Sequence, residues 1–176
     1  MTQDAAHLFN QQQVDSKRIP DWKSREKMIC MPIDDFLSMA KPGHQPEKLS
    51  RIEAAIERGN PLSDIPFLIA YAKDESDAVF VVGHEGRHRA KALKAMGLET
   101  MPVIIKGDIR WSEQADPQRF DYRENWPTTL VSETGESSIP FPVSREEAMT
   151  PYNGAPLRSP AQEASQTKQA QRQPGM

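Results

Sequence analysis

Between positions 83 and 89 the chain reads Gly83-His84-Glu85-Gly86-Arg87-His88-Arg89, seven residues of which five carry reactive or charged side chains. His84 and His88 can take or give a proton near neutral pH, and Glu85 can serve as a general base or anchor a divalent ion. Arg87 and Arg89 carry planar guanidinium forks that match phosphate oxygens. Gly83 and Gly86 allow a backbone or ligand to approach where a side chain would block it. An apolar strand precedes the cluster and a helical pattern follows it. The first-turn amides of that helix point outward without intrahelical partners and attract an anion. These features describe a phosphate pocket with acid–base groups at hand. A plainer account competes with it. Glu85 and Arg89 have the spacing of a surface ion pair worth a few tenths of a kcal/mol. Arg87 and Lys91 could form a solvated helix face, His84 a cap, and His88 a satisfied, partly buried imidazole.

The elements that must hold this cluster follow from the apolar pattern. Met28-Ile29-Cys30-Met31 is a short buried strand ended by Pro32, which can open a helix carrying Ile33, Phe36, Leu37 and Ala40 at helical spacing. Glu47 to Arg58 places Leu49, Ile52, Ala55 and Ile56 on one face, and Gly59 stands where a left-handed cap is wanted. Pro66 to Tyr71 and Val79 to Val82 read as strands that can form a hairpin. The helix after Gly86 turns Ala90, Leu93 and Met96 inward and Lys91 and Lys94 outward. Gly97 ends it, and Met101 to Ile105 is the next strand, which suggests a right-handed crossover in a mixed sheet. Trp126-Pro-Thr-Thr-Leu-Val adds a strand or packs across the core. The expected class is α/β (α+β), with a small mixed sheet and flanking helices.

Composition sets limits around that centre. The chain has 176 residues, 37% of them apolar, 15 Pro and a net charge of −3. This fits one domain with polar flanks and excludes a global positive field, so any nucleic-acid surface must be local. Residues 1–26 read as a polar arm that docks through Trp22, residues 27–130 as the domain, and residues 131–176 as a Pro/Ser/Gln-rich tail without fixed structure. The one Cys excludes an internal disulfide framework. With no long apolar run and no signal-peptide profile, a soluble cytoplasmic chain with no membrane contact is expected.

The run Val81-Val82-Gly83-His84-Glu85-Gly86-Arg87-His88-Arg89-Ala90, with Gly97-Leu98 and Met101-Pro102-Val103-Ile104-Ile105, resembles the ParB/sulfiredoxin superfamily. Members carry a strand, a Gly-x-x-Arg or Gly-x-His-Arg opening a helix, and a Gly-Leu-x-x-(Ile)-Pro-Val strand. The upstream order of elements fits as well, so the resemblance spans about residues 27–106. Arg87 stands where sulfiredoxins carry their catalytic Cys, and Cys30 falls in the first strand, which argues against sulfiredoxin activity. Arg89 matches the last arginine of the partition proteins' Gly-Glu-Arg-Arg, whereas Arg87 and His88 replace the two residues before it. No helix-turn-helix pattern follows residue 106, against a site-specific partition role. The resemblance implies a nucleotide or nucleic-acid phosphate over Gly83, Gly86, Arg87, His88 and Arg89, with Asn60 as a further pocket residue by analogy. It also implies magnesium with a nucleoside di- or triphosphate, phosphoryl-transfer or nuclease chemistry through His84, Glu85 and His88, and a phage or mobile-element source. The location would then be host cytoplasm or virion.

Two other classes compete. His84-Glu85-Gly86-Arg87-His88 satisfies the His-Glu-x-x-His of zinc hydrolases, in which one continuous helix projects both His onto the metal. Here a β-branched run ends one residue before the motif, Gly86 weakens any helix through it, and no third ligand is evident. No metal ligand set is assigned, and zinc is not expected. The other class is a non-catalytic interaction or virion-associated module whose terminal arms bind a protein partner, with Trp111, Phe120, Tyr122 and Trp126 as a docking surface.

Overall fold

The apolar runs at 28–31, 67–72, 79–82 and 101–105 become the four long strands of one sheet. The computed structural model describes residues 3–18, 26–72, 77–109 and 126–148. A 3-10 turn (Ala6–Leu8) and α1 (Gln11–Ser16) lead to β1 (Glu26–Pro32), α2 (Ile33–Met39) and α3 (Pro46–Glu57). Then come β2 (Phe67–Ala72), β3 (Ala78–Glu85), α4 (Arg87–Ala95), β4 (Thr100–Asp108), β5 (Thr129–Val131), β6 (Ser138–Pro140) and α5 (Arg145–Ala148). The sheet order is β1-β4-β2-β3-β5-β6. β2 pairs in parallel with β4 and β3 with β5, while the other neighbours are antiparallel. The fold is therefore α/β (α+β) with a mixed sheet, as the pattern of elements implies.

One expected connection takes a different form. β3 and β4 flank α4 in sequence but do not pair; β2 lies between them. β4 runs parallel to β2 and hence antiparallel to β3. The parallel pair is joined through β3 and α4 together, so the strand–helix–strand unit is not a simple crossover. The β2–β3 hairpin occupies the position that a parallel β3–β4 pair would need.

The core is built from Met28, Met31, Ile33, Phe36, Met39, Leu68, Leu93, Met101 and Ile105, all essentially inaccessible to water. α4 packs against both α2 and α3, using Ala90, Ala92 and Leu93. Met96 does not join them. The helix ends at Ala95, and Met96, now the C-cap, is 49% exposed. No described helix is long and apolar enough to cross a membrane.

The N-terminal polar segment is stitched to the domain through residues 3–14. The Ala5 amide donates to the Thr100 carbonyl (2.8 Å), and Asn10 and Leu8 bond on either side of Leu62. Phe9 and Val14 are buried. Two of its polar side chains serve its own backbone: Gln11 Nε2 donates to the Ala6 and Phe9 carbonyls, and Asn10 Oδ1 caps α1. Asp4 is fully buried, accepting from Thr100 Oγ1 (2.7 Å), the Ala6 amide (2.8 Å) and the Cys30 thiol (3.4 Å). Burial pushes its carboxyl above the usual range despite those three donors. Trp22, Trp111, Phe120 and Tyr122 lie outside the described residues.

At the other end, β6 and α5 fall inside the segment read as tail. Trp126 Nε1 donates to the Val143 carbonyl (2.9 Å), its ring meets Phe141 edge-on at 6.1 Å, and Val143 and Ala148 are buried. A boundary at residue 130 would cut the β5–β6 hairpin.

Candidate phosphate-binding site

The site is made by the turn from β3 into α4. β3 is held in register against β2, with Glu85 opposite Phe67 and His84 opposite Leu68. Gly86 then takes a left-handed conformation (φ 113°), and a Cβ there would lie 2.6 Å from Cβ of Pro66. Glycine is required at this position on both counts. The chain reverses sharply, and Arg87, His88 and Arg89 form the first turn of α4. No side chain caps this helix, and none caps α3, whose N-cap is Gln45. His88 joins the two starts: its Nε2 accepts the Gln45 amide at 3.0 Å. Two uncapped helix N-termini thus converge, each contributing partial positive charge.

Between them lies a cavity of about 100 Å³ lined by His84, Glu85, Gly86, Arg87, His88 and Arg89 from the turn and by Gln45, Lys48 and Ile52 from α3. Two shallower hollows of about 380 and 400 Å³ adjoin it and share Lys48 with it. The Arg89 Nε and Nη2 atoms are buried and have no hydrogen-bond partner among the described residues. Burial pulls its guanidinium below its ordinary range, opposed by the charges of Asp64 and Glu85. A buried donor without an acceptor costs about 1–3 kcal/mol, more when charged. Arg89 therefore carries two buried cationic donors that no acceptor satisfies among the described residues.

Arg87 is placed differently. Its Nη1 donates to the Lys41 carbonyl at 3.1 Å, and its guanidinium fills the space over Gly43, where a Cβ would come within 2.7 Å of it. Lys91 Nζ also donates to the Gly43 carbonyl. Arg87, His88 and Lys91 together hold the 41–45 loop against α4. His88 is 4% exposed, and its pKa is lowered, first by burial and then by Arg87, Lys48, Lys91 and His44. A neutral ring with an unprotonated Nε2 is what the Gln45 bond requires. His88 is thus committed to positioning α3, and its Nε2 has no capacity left for proton transfer.

His84 faces the cavity and is paired elsewhere. Its Nδ1 lies 2.8 Å from Glu133 Oε2, with the two side chains 12% and 17% exposed. Glu85 stands at the mouth, half exposed, 3.9 Å from Lys48 Nζ; an exposed pair at that distance adds little stability.

Six of the eight site residues read from the sequence therefore line one cavity. Gly83 does not: it sits inside β3 opposite Ile69, with ordinary room for a Cβ. Asn60 does not either; it is exposed, and its neighbours Pro61, Leu62 and Ser63 line the adjoining hollow instead. Gln45, Lys48, Ile52 and Glu133 were not legible as site residues. For Lys48 the available signal was a cation in the first turn of a helix, where anions are usual. The zinc geometry is not formed, because His84 and Glu85 end a strand while His88 lies in a helix. Among the described residues no three His, Cys, Asp or Glu side chains are grouped to hold a metal. Comparison of the chain with family models, with curated proteins and with solved structures gave no match.

Proposed function

We propose that this chain is a ParB-like domain that binds a nucleotide or nucleic-acid phosphate in the cavity between the N-termini of α3 and α4. The observation that carries this reading is the pair of buried Arg89 nitrogens, Nε and Nη2, that have no partner among the described residues. A phosphate oxygen satisfies its donors and takes up the dipoles of both helices, and Lys48 adds a second cation. The central cavity suits one phosphate group, and the adjoining hollows leave room for the rest of a nucleotide. Of the acidic side chains lining the cavity, Glu85 is the one at its mouth, so a magnesium ion would be held mainly by the nucleotide's own phosphates with Glu85 as its protein anchor. The resemblance to phage-type members of the superfamily is consistent with this reading, and phosphoryl transfer or nuclease action is the chemistry such a site serves.

Thermal unfolding with CTP, ATP, GTP and ADP in the presence of magnesium, and with a short single-stranded oligonucleotide, tests it. A ligand at a hundred times its dissociation constant should add about 2.7 kcal/mol, several degrees for a domain of this size. Arg89→Met should abolish the shift without lowering the melting temperature of the free protein, since it removes an unpaired buried charge. A shift with the oligonucleotide alone would assign the phosphate to nucleic acid. Absence of any shift would refute the proposal.

A further inference from the structure

Glu133 belongs to the turn between β5 and β6, which no reading of the glycine cluster includes, yet its carboxylate reaches the cavity wall. The turn is stiff. The Ser132 amide donates to the Ser137 carbonyl (2.8 Å), and Ser132 Oγ accepts the Ser137 amide (3.0 Å). The Glu133 amide donates to the Met39 carbonyl at the end of α2 (3.2 Å). The backbone is thereby anchored independently of the side chain. The side chain is directed at His84, 49 positions away in sequence, and bonds its Nδ1 at 2.8 Å.

This bond determines the chemistry of the ring. In the neutral ring, donating the Nδ1 hydrogen to the carboxylate leaves the lone pair on Nε2. Arg87 Nη1 donates to Nε2 at 3.5 Å, at the limit of a hydrogen bond, and its second hydrogen goes to the Lys41 carbonyl at 3.1 Å. Nε2 is thus an acceptor held by one long bond, which a shorter bond from a bound water would replace, on a residue that lines the cavity. Of the other groups that could take a proton there, His88 Nε2 is engaged by the Gln45 amide, and Glu85 stands at the mouth and faces Lys48. A carboxylate behind the imidazole of a cavity-lining histidine is the arrangement of an oriented general base.

We propose that His84 is the general base of a hydrolytic site and that Glu133 is its positioning residue. The inference rests on the reading of the cavity as a nucleotide phosphate site, and its substrate class is a nucleoside triphosphate. A water oxygen attacks the terminal phosphorus and forms the new P–O bond. The bridging P–O bond breaks, with its electron pair leaving on the nucleoside diphosphate. The water proton passes to His84 Nε2, and the Glu133 carboxylate balances the imidazolium. Arg89 neutralises charge on the transferring phosphoryl group.

The test uses the full chain, with Glu133→Ala, Glu133→Gln and His84→Gln beside the parent. Three quantities are measured: phosphate release from CTP, ATP and GTP with magnesium, affinity for the same nucleotides in calcium, and the tautomer of His84 from ¹⁵N imidazole spectra. The expected result is phosphate release by the parent, a loss of roughly a hundredfold in Glu133→Ala and His84→Gln, and nucleotide affinity within about threefold of the parent. In the parent spectrum Nδ1 is protonated, and Glu133→Ala mixes the tautomers. Glu133→Gln can still accept from Nδ1 through its amide oxygen, so it keeps the tautomer and the hairpin contact. It lacks the charge that balances the imidazolium, so its turnover should fall as well, which keeps the test decisive even if the alanine variant unfolds. Nucleotide binding without phosphate release by the parent would overturn this inference and leave the binding proposal standing. Unchanged turnover in Glu133→Ala and Glu133→Gln would reduce the pair to a strut for the hairpin. Failure to bind any nucleotide would overturn both.

Discussion

Arg87 and Arg89 are the same residue type two positions apart, and only their surroundings separate them. Arg87 leaves only its Nε buried without a partner, its Nη1 having the Lys41 carbonyl and its guanidinium the space over Gly43, whereas Arg89 has two buried donors, Nε and Nη2, with no acceptor among the described residues. His88 illustrates the same point for titration. Its folded pKa lies below the ordinary 6.5, so the unfolded chain takes up the proton first as pH falls. Stability from this residue is present above about pH 6.5 and is lost progressively below it. His88→Gln retains an acceptor for the Gln45 amide but cannot titrate. It should melt within about 1 kcal/mol of the parent at pH 7.5 and show a shallower decline between pH 6.5 and pH 5, measured by thermal unfolding across that range. An equal slope in both proteins would remove His88 as the source. The residue types needed for a phosphate site were legible at 84–89. Which guanidinium is free, and which imidazole is occupied, was not, because both depend on the 41–45 loop, whose own sequence carries no sign of contact with α4.

At the scale of elements, two left-handed glycines hold the site and the sheet that supports it. Gly86 closes the turn against Pro66, and Gly107 (φ 131°) sits in β4 where a Cβ would fall 2.0 Å from the Ala70 carbonyl oxygen. In Gly86→Ala the backbone conformation alone costs about 1–2 kcal/mol, and the overlap with the Pro66 ring adds to it. In Gly107→Ala the obstacle is backbone of the adjacent parallel strand and cannot rotate away. The loss should reach the exceptional range for a single substitution, about 4 kcal/mol or more. Urea denaturation of both variants checks the order; Gly107→Ala being the milder would mean that β2 and β4 can separate locally. The four long strands, the three longer helices and the glycine turn were readable, because an apolar run or a 3.6-residue stripe is a local signal. Strand order was not, since β1 and β4, or β3 and β5, meet through pairings that leave no mark on the intervening sequence. Glu133 was hidden for that reason and one more: it lies in a Ser-, Thr- and Pro-rich stretch whose composition matches that of a tail.

At the scale of the molecule, the segments that read as flanks close the domain at both ends. Residues 4–14 cover the start of β4 and the loop before β2, while Trp126, Phe141 and Val143 pack together beyond β5. A chain ending after Leu130 loses β6, α5 and Glu133. It should unfold several degrees below the full chain, with Trp126 emission shifted to the red at temperatures where the full chain is still folded. An unchanged melting temperature would show that 131–148 is an appendage.

β4 lies between β1 and β2, although both precede it in the chain, and Asp4 bonds across 96 positions to Thr100 at its first residue. During synthesis, then, β1 and the β2–β3 hairpin emerge with a gap between them that only a later strand can fill. When β4 arrives it forms an antiparallel ladder on one side and a parallel one on the other, and the N-terminal segment can lock onto it only after that. Contacts of such long range slow folding and leave apolar strand edges open while the chain waits. The strand that closes this gap therefore also sets how long the edges of β1 and β2 stay open to association with other copies of the nascent protein.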